Sequence, residues 1–229
     1  MWNNKMKALT FSYDDGVTAD KRLVEIFNKY GLKSTFNINT GMLSNFFSWE
    51  KNNRVISTRM TFQECKETYK GHEIACHTLT HPDLCKLPDE EVNRQVIGDK
   101  ALIETLFSQK VNGMAYPYGT FDERVENVLK KADIKYSRTV IQSENFDISD
   151  NLLELKATCH HNNPKLFELA EEFISLKPDK PQLFYIWGHG YEYDNDDNWD
   201  RIEEFCKLIS GKDDIYYCTN DEALSPFYK

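Results

Sequence analysis

The sequence lacks any apolar run of the length that a membrane span needs, which is about 20 residues. Residues 1–7 also lack the apolar core and the small-residue cleavage site of a secretory signal. We therefore expect no membrane partner. We expect a cytoplasmic location, or a secreted protein if a signal has been removed.

Basic residues are too few to balance the acidic ones. Lysine and arginine number 28 against 37 aspartate and glutamate residues, so the formal net charge is −9. This balance disfavours nucleic acids and anionic membranes as partners. A neutral substrate such as a sugar remains compatible with it.

The six cysteines lack the C-x-x-C pairing that is typical of zinc ribbons and redox motifs. Because no export signal is visible, we expect reduced thiols that are mostly buried. Cys76 stands directly before His77, but neighbours on a strand point to opposite faces, which favours a core role for this cysteine.

The chain also lacks linkers rich in proline, glycine or serine, low-complexity tracts and internal repeats. We expect residues 1–229 to form a single domain. Segments with strand and helix patterns alternate throughout, which favours an α/β fold with parallel strands and outer helices. The seven or eight predicted strands suit a closed (β/α) barrel better than an open sheet.

Two histidines four residues apart, His77 and His81, follow a strand-like run from Gly71 to Cys76. On one helical turn their Cβ atoms would lie about 5–6 Å apart, close enough to share a metal ion. Such a pair also occurs by chance. A third ligand type follows another strand-like run, where Asp14 and Asp15 precede a glycine. Two histidines and a carboxylate are a common ligand set for a catalytic metal with an open position.

The polar groups that attract attention all follow predicted strands. In parallel barrels the loops at the carboxyl ends of the strands build the active site. The sequence therefore predicts that one rim of the barrel collects Asp14, Asp15, His77, His81, Tyr116–Gly119 and His189.

Four segments resemble motifs of the polysaccharide deacetylases of carbohydrate esterase family 4, the NodB-homology enzymes. Thr10–Gly16 is similar to T-F-D-D-G, and His77–His81 matches H-[S/T]-x-x-H. Tyr116–Gly119 resembles the latter part of R-x-P-Y-G, and Trp187–His189 resembles the end of L-x-x-H. The matches extend over nearly the whole chain.

The resemblance implies a distorted, NodB-like (β/α) barrel of mostly parallel strands. It also implies a metal-dependent N- or O-deacetylase of N-acetylglucosamine polymers or acetylated xylan. By position, Asp15, His77 and His81 would bind a divalent metal, with zinc as the first choice and cobalt or nickel as alternatives.

The resemblance gives three further residues catalytic roles. Asp14 would be the general base, His189 the general acid, and the backbone N–H of Tyr118 would help to hold the oxyanion. These residue types suit the reaction, because attacking water must lose a proton, the tetrahedral oxyanion needs donors and the leaving amine needs a proton.

The chain departs from the family pattern at two motifs. Ala115 stands where the family has the arginine that orients the base, so either another cation such as Arg138 replaces it or Asp14 is less well tuned. The fourth motif has no clear match, which leaves the acetyl pocket and the partner of His189 open. Ile186 and Trp187 are candidates for the pocket, although a core role for Trp187 is favoured.

Other polar residues near these motifs receive plainer interpretations. We expect a structural role for His72, and a polar loop at His160 and His161, with substrate contact as the minority view. Asn37 and Asn39 would either hydrogen-bond near the metal carboxylate or satisfy buried backbone groups.

Two further segments carry aromatic side chains and an acidic run. Residues 41–59, with Phe46, Phe47 and Trp49, would be an irregular segment that shapes a cleft or forms a surface insertion. Residues 191–197 would be a solvated loop, although Tyr191 and Tyr193 could stack on a sugar ring.

Three functional hypotheses follow from the sequence. The first is a metal-dependent deacetylase of an N-acetylated amino sugar or oligosaccharide. The second is a related hydrolase of non-sugar amides or cyclic ureides, which the missing export signal motivates. The third is a carbohydrate-binding barrel with impaired catalysis, which the missing arginine motivates. The sequence does not predict the oligomeric state.

Overall fold

The protein is described by a computed structural model that covers residues 1–44, 48–52 and 54–228. Its strands are β1 (Lys7–Asp14), β2 (Ser34–Ile38), β3 (Ser48–Lys51), β4 (Arg54–Thr58), β5 (Glu73–Cys76), β6 (Gly113–Ala115), β7 (Tyr136–Gln142), β8 (Leu155–Ala157), β9 (Cys159–His160), β10 (Gln182–His189) and β11 (Ile215–Tyr217). Its α-helices are α1 (Asp20–Lys29), α2 (Phe62–Thr68), α3 (Asp89–Phe107), α4 (Glu123–Lys131), α5 (Leu166–Ser175), α6 (Gly190–Asp196), α7 (Trp199–Ile209) and α8 (Asn220–Leu224).

The central sheet is parallel throughout and runs in the order β8-β7-β6-β5-β2-β1-β10-β9, with β11 paired to β1. Strands β8 and β9 are successive parts of residues 155–160. One pairs with β7 and the other with β10, so this stretch joins the two ends of the sheet. The predicted distorted (β/α) barrel is confirmed, and the break at Thr158 is one source of its distortion.

Strand β1 is buried along its whole length because helices cover its outer face and the barrel interior covers the other. Leu9, Phe11 and Tyr13 belong to the main apolar cluster, which includes residues of the outer helices. The two-residue period of a strand therefore directs Ser12 and Asp14 into the barrel interior. This alternation places the acidic end of β1 at the inner rim.

The same alternation decides between the two pocket candidates on β10. Ile186 is fully buried in the main cluster with the outer helices, so its role as a pocket residue is not supported. Trp187 belongs to the inner cluster with Tyr185 and lies at the cavity. Trp187 therefore has the core role that was favoured, and it also lines the cavity.

The prediction that His77 and His81 share one helical turn is wrong. The chain leaves β5 in a non-helical turn in which Thr78 and His81 have φ angles of 68° and 57°. The two imidazoles nevertheless meet, with ring centroids 4.7 Å apart. The sequence therefore predicted the proximity correctly from an incorrect local geometry.

Several loop predictions also change. Strands β3 and β4 pair as an antiparallel hairpin where an irregular segment was predicted, and Phe46 and Phe47 lie outside the described residues. His160 lies in β9 and His161 is buried, so a polar loop there is wrong. Residues 190–196 form α6 rather than a loop, with Tyr193 buried.

Two predictions about the bulk of the chain can be compared with the structure. All six cysteines are free and five are buried. Among the helices of the described residues, none combines the length and apolarity needed to cross a bilayer.

Candidate metal centre and active site

Asp15, His77 and His81 come together at the carboxyl ends of β1 and β5. Each offers one ligand atom, and these atoms all lie within 4.8 Å of one another. The Nδ1 atom of His77 hydrogen-bonds the carbonyl oxygen of Ala115 at 2.8 Å, which places its proton on Nδ1. Its Nε2 is buried and has no partner among the described residues. An imidazole lone pair left open beside a second imidazole and a carboxylate fits a divalent transition metal.

The protonation states of these three residues suit metal binding. Burial lowers the pKa of His77 to about 4 and lowers the pKa of His81 as well, so both imidazoles are neutral at pH 7. Burial alone would raise the pKa of Asp15, but the guanidinium of Arg59 and the neighbouring histidines together outweigh it and hold that pKa below the usual value. The carboxylate is therefore ionised.

Arg59 directly follows β4 and fixes the carboxylate of Asp15. Its Nη2 donates to Oδ1 of Asp15 at 2.8 Å, and its Nη1 donates to Oδ1 of Asn39 at 2.7 Å. The ring of Trp49, on the other strand of the hairpin, lies 5.3 Å from the guanidinium and stacks on Tyr191 at 4.7 Å. The hairpin thus supports a metal-ligand candidate and walls the cavity.

Buried polar side chains hold the loop that carries the two histidines. Asn39 donates to the carbonyls of His77 and Thr78. The carboxylate of Asp99 on α3 accepts from the backbone N–H of His77 at 3.0 Å and from that of Thr40 at 2.9 Å. Asn39 therefore satisfies buried backbone, which is one of the two roles expected for the asparagines.

Four residues at this rim have left-handed backbone conformations. Asp15, Thr78, His81 and Tyr118 have φ angles of 84°, 68°, 57° and 59°. Each such conformation costs a non-glycine residue about 1–3 kcal/mol, and clusters of them occur where the surroundings impose a functional geometry. At these four positions the packing of the rim therefore imposes the backbone conformation.

Asp14 lies beside the three ligand candidates and has a separate set of partners. Arg138 on β7 donates through Nη2 to Oδ2 of Asp14, and Asn37 donates to Oδ1 at 2.9 Å. Nε2 of His77 lies 4.0 Å from Oδ2. Burial would raise the pKa of Asp14, but Arg138 and, to a lesser extent, His77 lower it to about 2. Asp14 is an ionised carboxylate that points into the site.

Arg138 thus takes up the position that the sequence left open at Ala115. Residues 115 and 138 are register partners in the β6–β7 pair, so an arginine on the neighbouring strand reaches the same carboxylate. The carbonyl of Ala115 instead orients His77. Asn37 hydrogen-bonds Asp14, the neighbour of the carboxylate predicted to bind metal, so this asparagine takes the other role expected for the pair.

The remaining side of the site holds His189 at the end of β10. Its Nδ1 lies 3.3 Å from Oε1 of Glu192, and Oε2 of Glu192 lies 3.1 Å from the Nε2 atoms of both His160 and His161. Burial alone would lower the pKa of His189, but the contact with Glu192 and the charge of Asp14 raise it to about 9. His189 is therefore protonated at pH 7.

The assembled side chains enclose a cavity of about 470 Å³. Tyr118 stands at its mouth with 61% of its surface exposed, and its ring packs edge-on to His81 at 4.6 Å. The other lining residues come from eight parts of the chain: Asp14, Asp15, Met42, Trp49, Arg59, His77, Thr80, His81, Tyr116, Val140, Trp187, His189 and Tyr191.

The structure brings all six predicted site residues to one cavity, and their chemical roles stay predictions. Sequence reasoning missed Arg59 and Glu192. Arg59 carried no signal because it lies 44 residues from Asp15, outside any motif. Glu192 did have a weak sequence signal, since it stands three residues after His189 at capping-box spacing.

A parallel barrel that collects two imidazoles, two carboxylates and a further histidine at the carboxyl ends of its strands has the residue types that could hold a divalent metal ion. A family model described as polysaccharide deacetylase matches residues 3–137, more than half of the chain. The chain belongs to the polysaccharide deacetylase family, and its predicted membership of carbohydrate esterase family 4 is confirmed.

One curated relative is chitin deacetylase 1 of Cryptococcus neoformans var. grubii. It is 28% identical over 118 residues, which make up 51% of this chain and 22% of that protein. The chain therefore matches about a fifth of the length of this relative.

Solved structures share the fold at low identity. The deacetylase PplD of Streptococcus pyogenes, in complex with acetate, has a TM-score of 0.54 and 22% identity over 63% of this chain and 61% of that one. A family 4 carbohydrate esterase from Streptomyces lividans, also with acetate, has a TM-score of 0.58 and 15% identity over 94% and 92%. BA3943 of Bacillus anthracis, described as a pseudoenzyme of the same family, has a TM-score of 0.57 and 17% identity over 96% and 66%.

Proposed function

We propose that this protein is a metal-dependent deacetylase that hydrolyses the acetyl group of an N-acetylated amino sugar or short oligosaccharide. One observation carries the proposal. His77, His81 and Asp15 each offer a ligand atom within 4.8 Å of the other two, and the buried Nε2 of His77 has no hydrogen-bond partner in the described part of the chain. Asp14 and His189 line the same cavity.

Asp15, His77 and His81 would hold the divalent metal, and zinc, cobalt and nickel all accept this ligand set. When bound, the metal supplies a water molecule acidic enough to react at neutral pH and a positive charge beside the developing oxyanion. Arg59 keeps the carboxylate of Asp15 ionised and oriented for this task.

Asp14 is the proton acceptor in the attack step. Its pKa of about 2 means that it is ionised at any pH where the protein works. Arg138 and Asn37 hold its two oxygens, so the carboxylate is fixed before substrate arrives. A weak base that is fixed beside the attacking water still accelerates the reaction, because proximity replaces part of the missing basicity.

His189 is the proton donor in the departure step. The water oxygen bonds to the acetyl carbon and its proton passes to Asp14, after which the carbon–nitrogen bond breaks. The protonated His189 gives its proton to the leaving nitrogen, and the products are acetate and a free amine. The backbone N–H of Tyr118, in a turn with φ of 59°, is the expected second donor to the oxyanion.

Two alternative functions would use the same cavity. A hydrolase of non-sugar amides or cyclic ureides would need the same metal, base and acid. A binding barrel without catalysis was motivated by the missing arginine, and the contact of Arg138 with Asp14 weakens that motive. Family membership does not exclude it, since a neighbour in fold is described as a pseudoenzyme.

The decisive experiment is metal removal and replacement with acetate release as the readout. Chelated protein should release no acetate from an N-acetylglucosamine oligosaccharide, and added zinc, cobalt or nickel should restore release. Undiminished turnover after chelation would contradict the proposal. Acetylated xylo-oligosaccharide, a non-sugar amide and a cyclic ureide are the competing substrates. His72→Gln is the matched control, since this histidine hydrogen-bonds the backbone of Ser34 and lies outside the cavity lining.

A further inference from the structure

Glu192 is surrounded by imidazoles from two separate segments of the chain. Its Oε2 lies 3.1 Å from Nε2 of His160 and 3.1 Å from Nε2 of His161. Its Oε1 lies 3.3 Å from Nδ1 of His189. One carboxylate therefore has three imidazole neighbours, and one of these is the proposed proton donor.

The backbone fixes Glu192 relative to His189. His189 is the N-cap of α6 and Glu192 is the third residue of that helix, and the backbone N–H of His189 donates to Oε2 at 3.0 Å. The carboxylate is thus tied to the same turn that carries the proposed proton donor.

His160 is held in one tautomer. Its Nδ1 accepts the backbone N–H of Asn162 at 3.2 Å, so the neutral ring carries its proton on Nε2, facing Glu192. The same tautomer argues against a second metal site, although ligand atoms of His160, His189 and Glu192 lie within 4.8 Å of one another. An Nε2 that carries a proton is a donor to the carboxylate and not a ligand.

His161 is fixed by packing. Its ring stacks between Tyr13, at 5.7 Å, and Tyr193, at 4.2 Å. A Cβ at Gly188 would come within 2.1 Å of its Nδ1, so the glycine before His189 makes room for this ring. Burial lowers the pKa of His161 to about 4, and the ring is a neutral neighbour of Glu192.

We propose that Glu192 is a positioning residue for His189: it keeps a proton on Nδ1 and so presents Nε2 to the cavity as the proton donor, while His160 and His161 hold the carboxylate in place. The inference rests on the proposed function. The contact of 3.3 Å is at ion-pair distance, and Nδ1 of His189 has no hydrogen-bond partner elsewhere in the described residues.

The test compares two substrates that differ in their need for a proton. An N-acetyl amine leaves only if its nitrogen is protonated, whereas 4-nitrophenyl acetate releases a stable phenolate without help. In Glu192→Gln, kcat/KM for the N-acetyl substrate should fall about 10²-fold, which is within the range of general acid catalysis. The value for the aryl ester should fall less than about threefold, because the metal and Asp14 are untouched.

The matched control is Glu64→Gln. Glu64 makes the same capping box with Thr61 at the start of α2, which like α6 has seven residues, and it lies outside the cavity lining. In this variant kcat/KM should be unchanged for both substrates. An equal loss on both substrates in Glu192→Gln would mean that Glu192 supports only the fold, and would overturn the inference.

A second readout does not depend on turnover. In the zinc-loaded protein, ¹⁵N NMR of labelled histidine should report the Nδ1–H form of His189, and Glu192→Gln should change its tautomer or its titration. An unchanged His189 signal would overturn the inference whether or not the protein is active. A wild type that hydrolyses neither substrate in the presence of metal would instead contradict the proposed function, and the NMR result would then decide the inference alone.

Discussion

The two sides of the cavity differ in how their charged side chains are paired. On the metal and base side, each carboxylate has its own arginine: Asp14 is paired with Arg138 and Asp15 with Arg59. On the proton-donor side, a single carboxylate, Glu192, faces three imidazoles. The arginines hold the two carboxylates in place, and Glu192 favours the protonated form of His189. A site that must accept a proton at one wall and deliver one at the other needs both.

The two arginine pairs also differ in where their arginines come from. Arg138 lies on β7 within the barrel, and its guanidinium stacks 4.4 Å from the ring of Trp187. Arg59 follows the β3–β4 hairpin, outside the central sheet. The proposed base, Asp14, is therefore held by a strand of the barrel, and the proposed metal ligand, Asp15, is held by an arginine that follows the hairpin.

The largest expected effect separates the two adjacent aspartates. Asp14→Asn should lower kcat by about 10³-fold, because the proton acceptor is lost, while metal affinity stays within about threefold of the wild type. Asp15→Asn should instead lose the metal. Activity assays and metal competition against a chelator measure the two losses. If Asp14→Asn releases acetate at the wild-type rate, Asp14 is not the base.

The next effect is on stability and concerns Arg138. Arg138→Met leaves Asp14 buried without its cation, which should cost about 3–5 kcal/mol in the free energy of unfolding. The double variant Arg138→Met with Asp14→Asn should recover much of that loss, since no buried charge is left unpaired. Urea denaturation of the metal-free proteins measures both. Simple additivity of the two substitutions would contradict the pairing.

Arg59→Met should destabilise the protein less than Arg138→Met does once metal is present. In the metal-free protein it leaves the carboxylate of Asp15 without its arginine, as Arg138→Met does for Asp14. A bound divalent cation replaces that positive charge for Asp15, so zinc should raise the thermal stability of Arg59→Met more than it raises that of Arg138→Met. Equal zinc-dependent shifts in the two variants would show that the hairpin arginine does not serve the metal carboxylate.

The metal and base side could be predicted from the sequence because its residues lie in short motifs at strand ends. Asp14 and Asp15 are adjacent, and His77 and His81 are four apart, so local spacing limits how far they can separate. Arg138 was recognised only as one candidate cation. The register of β6 against β7, which brings it to Asp14, is a tertiary property that no local pattern contains.

The proton-donor side was mostly missed, and the reason is physical. His160 and His161 precede Glu192 by about 30 residues, and only the pairing of β9 with β10 brings them together. Adjacent polar residues usually mark a loop, and here burial of His161 between two tyrosines overrides that preference. Arg59 was missed for the same reason, since a hairpin outside the barrel delivers it.

The pH dependence of stability should reveal whether the pKa of His189 is raised on the proton-donor side. The folded-state pKa of His189 is about 9, above the value of about 6.5 in an unfolded chain. Its contribution is therefore complete below about pH 6.5 and disappears as pH rises through about 9. The stability difference between metal-free wild type and His189→Gln should shrink over that interval. A difference that stays constant from pH 6 to pH 10 would contradict the raised pKa.

The smallest expected effect concerns the strained turn at Tyr118. Only the backbone N–H of this residue has a proposed role, and its φ of 59° suits glycine better than tyrosine. Tyr118→Gly should change the free energy of unfolding by less than about 1 kcal/mol, because relief of strain offsets the entropy of the unfolded chain. It should lower kcat/KM less than about tenfold, since the N–H remains for the oxyanion and only the ring against His81 is lost.

Ser108→Gly is the control for that last prediction. Ser108 has a φ of 54° at the end of α3 and lies outside the cavity lining, so this change should alter stability by a similar amount and leave turnover unchanged. Tyr118→Pro removes the N–H and forbids a positive φ, and it should abolish turnover. If Tyr118→Gly were as inactive as Tyr118→Pro, the tyrosine ring rather than its backbone would be the part that the reaction needs.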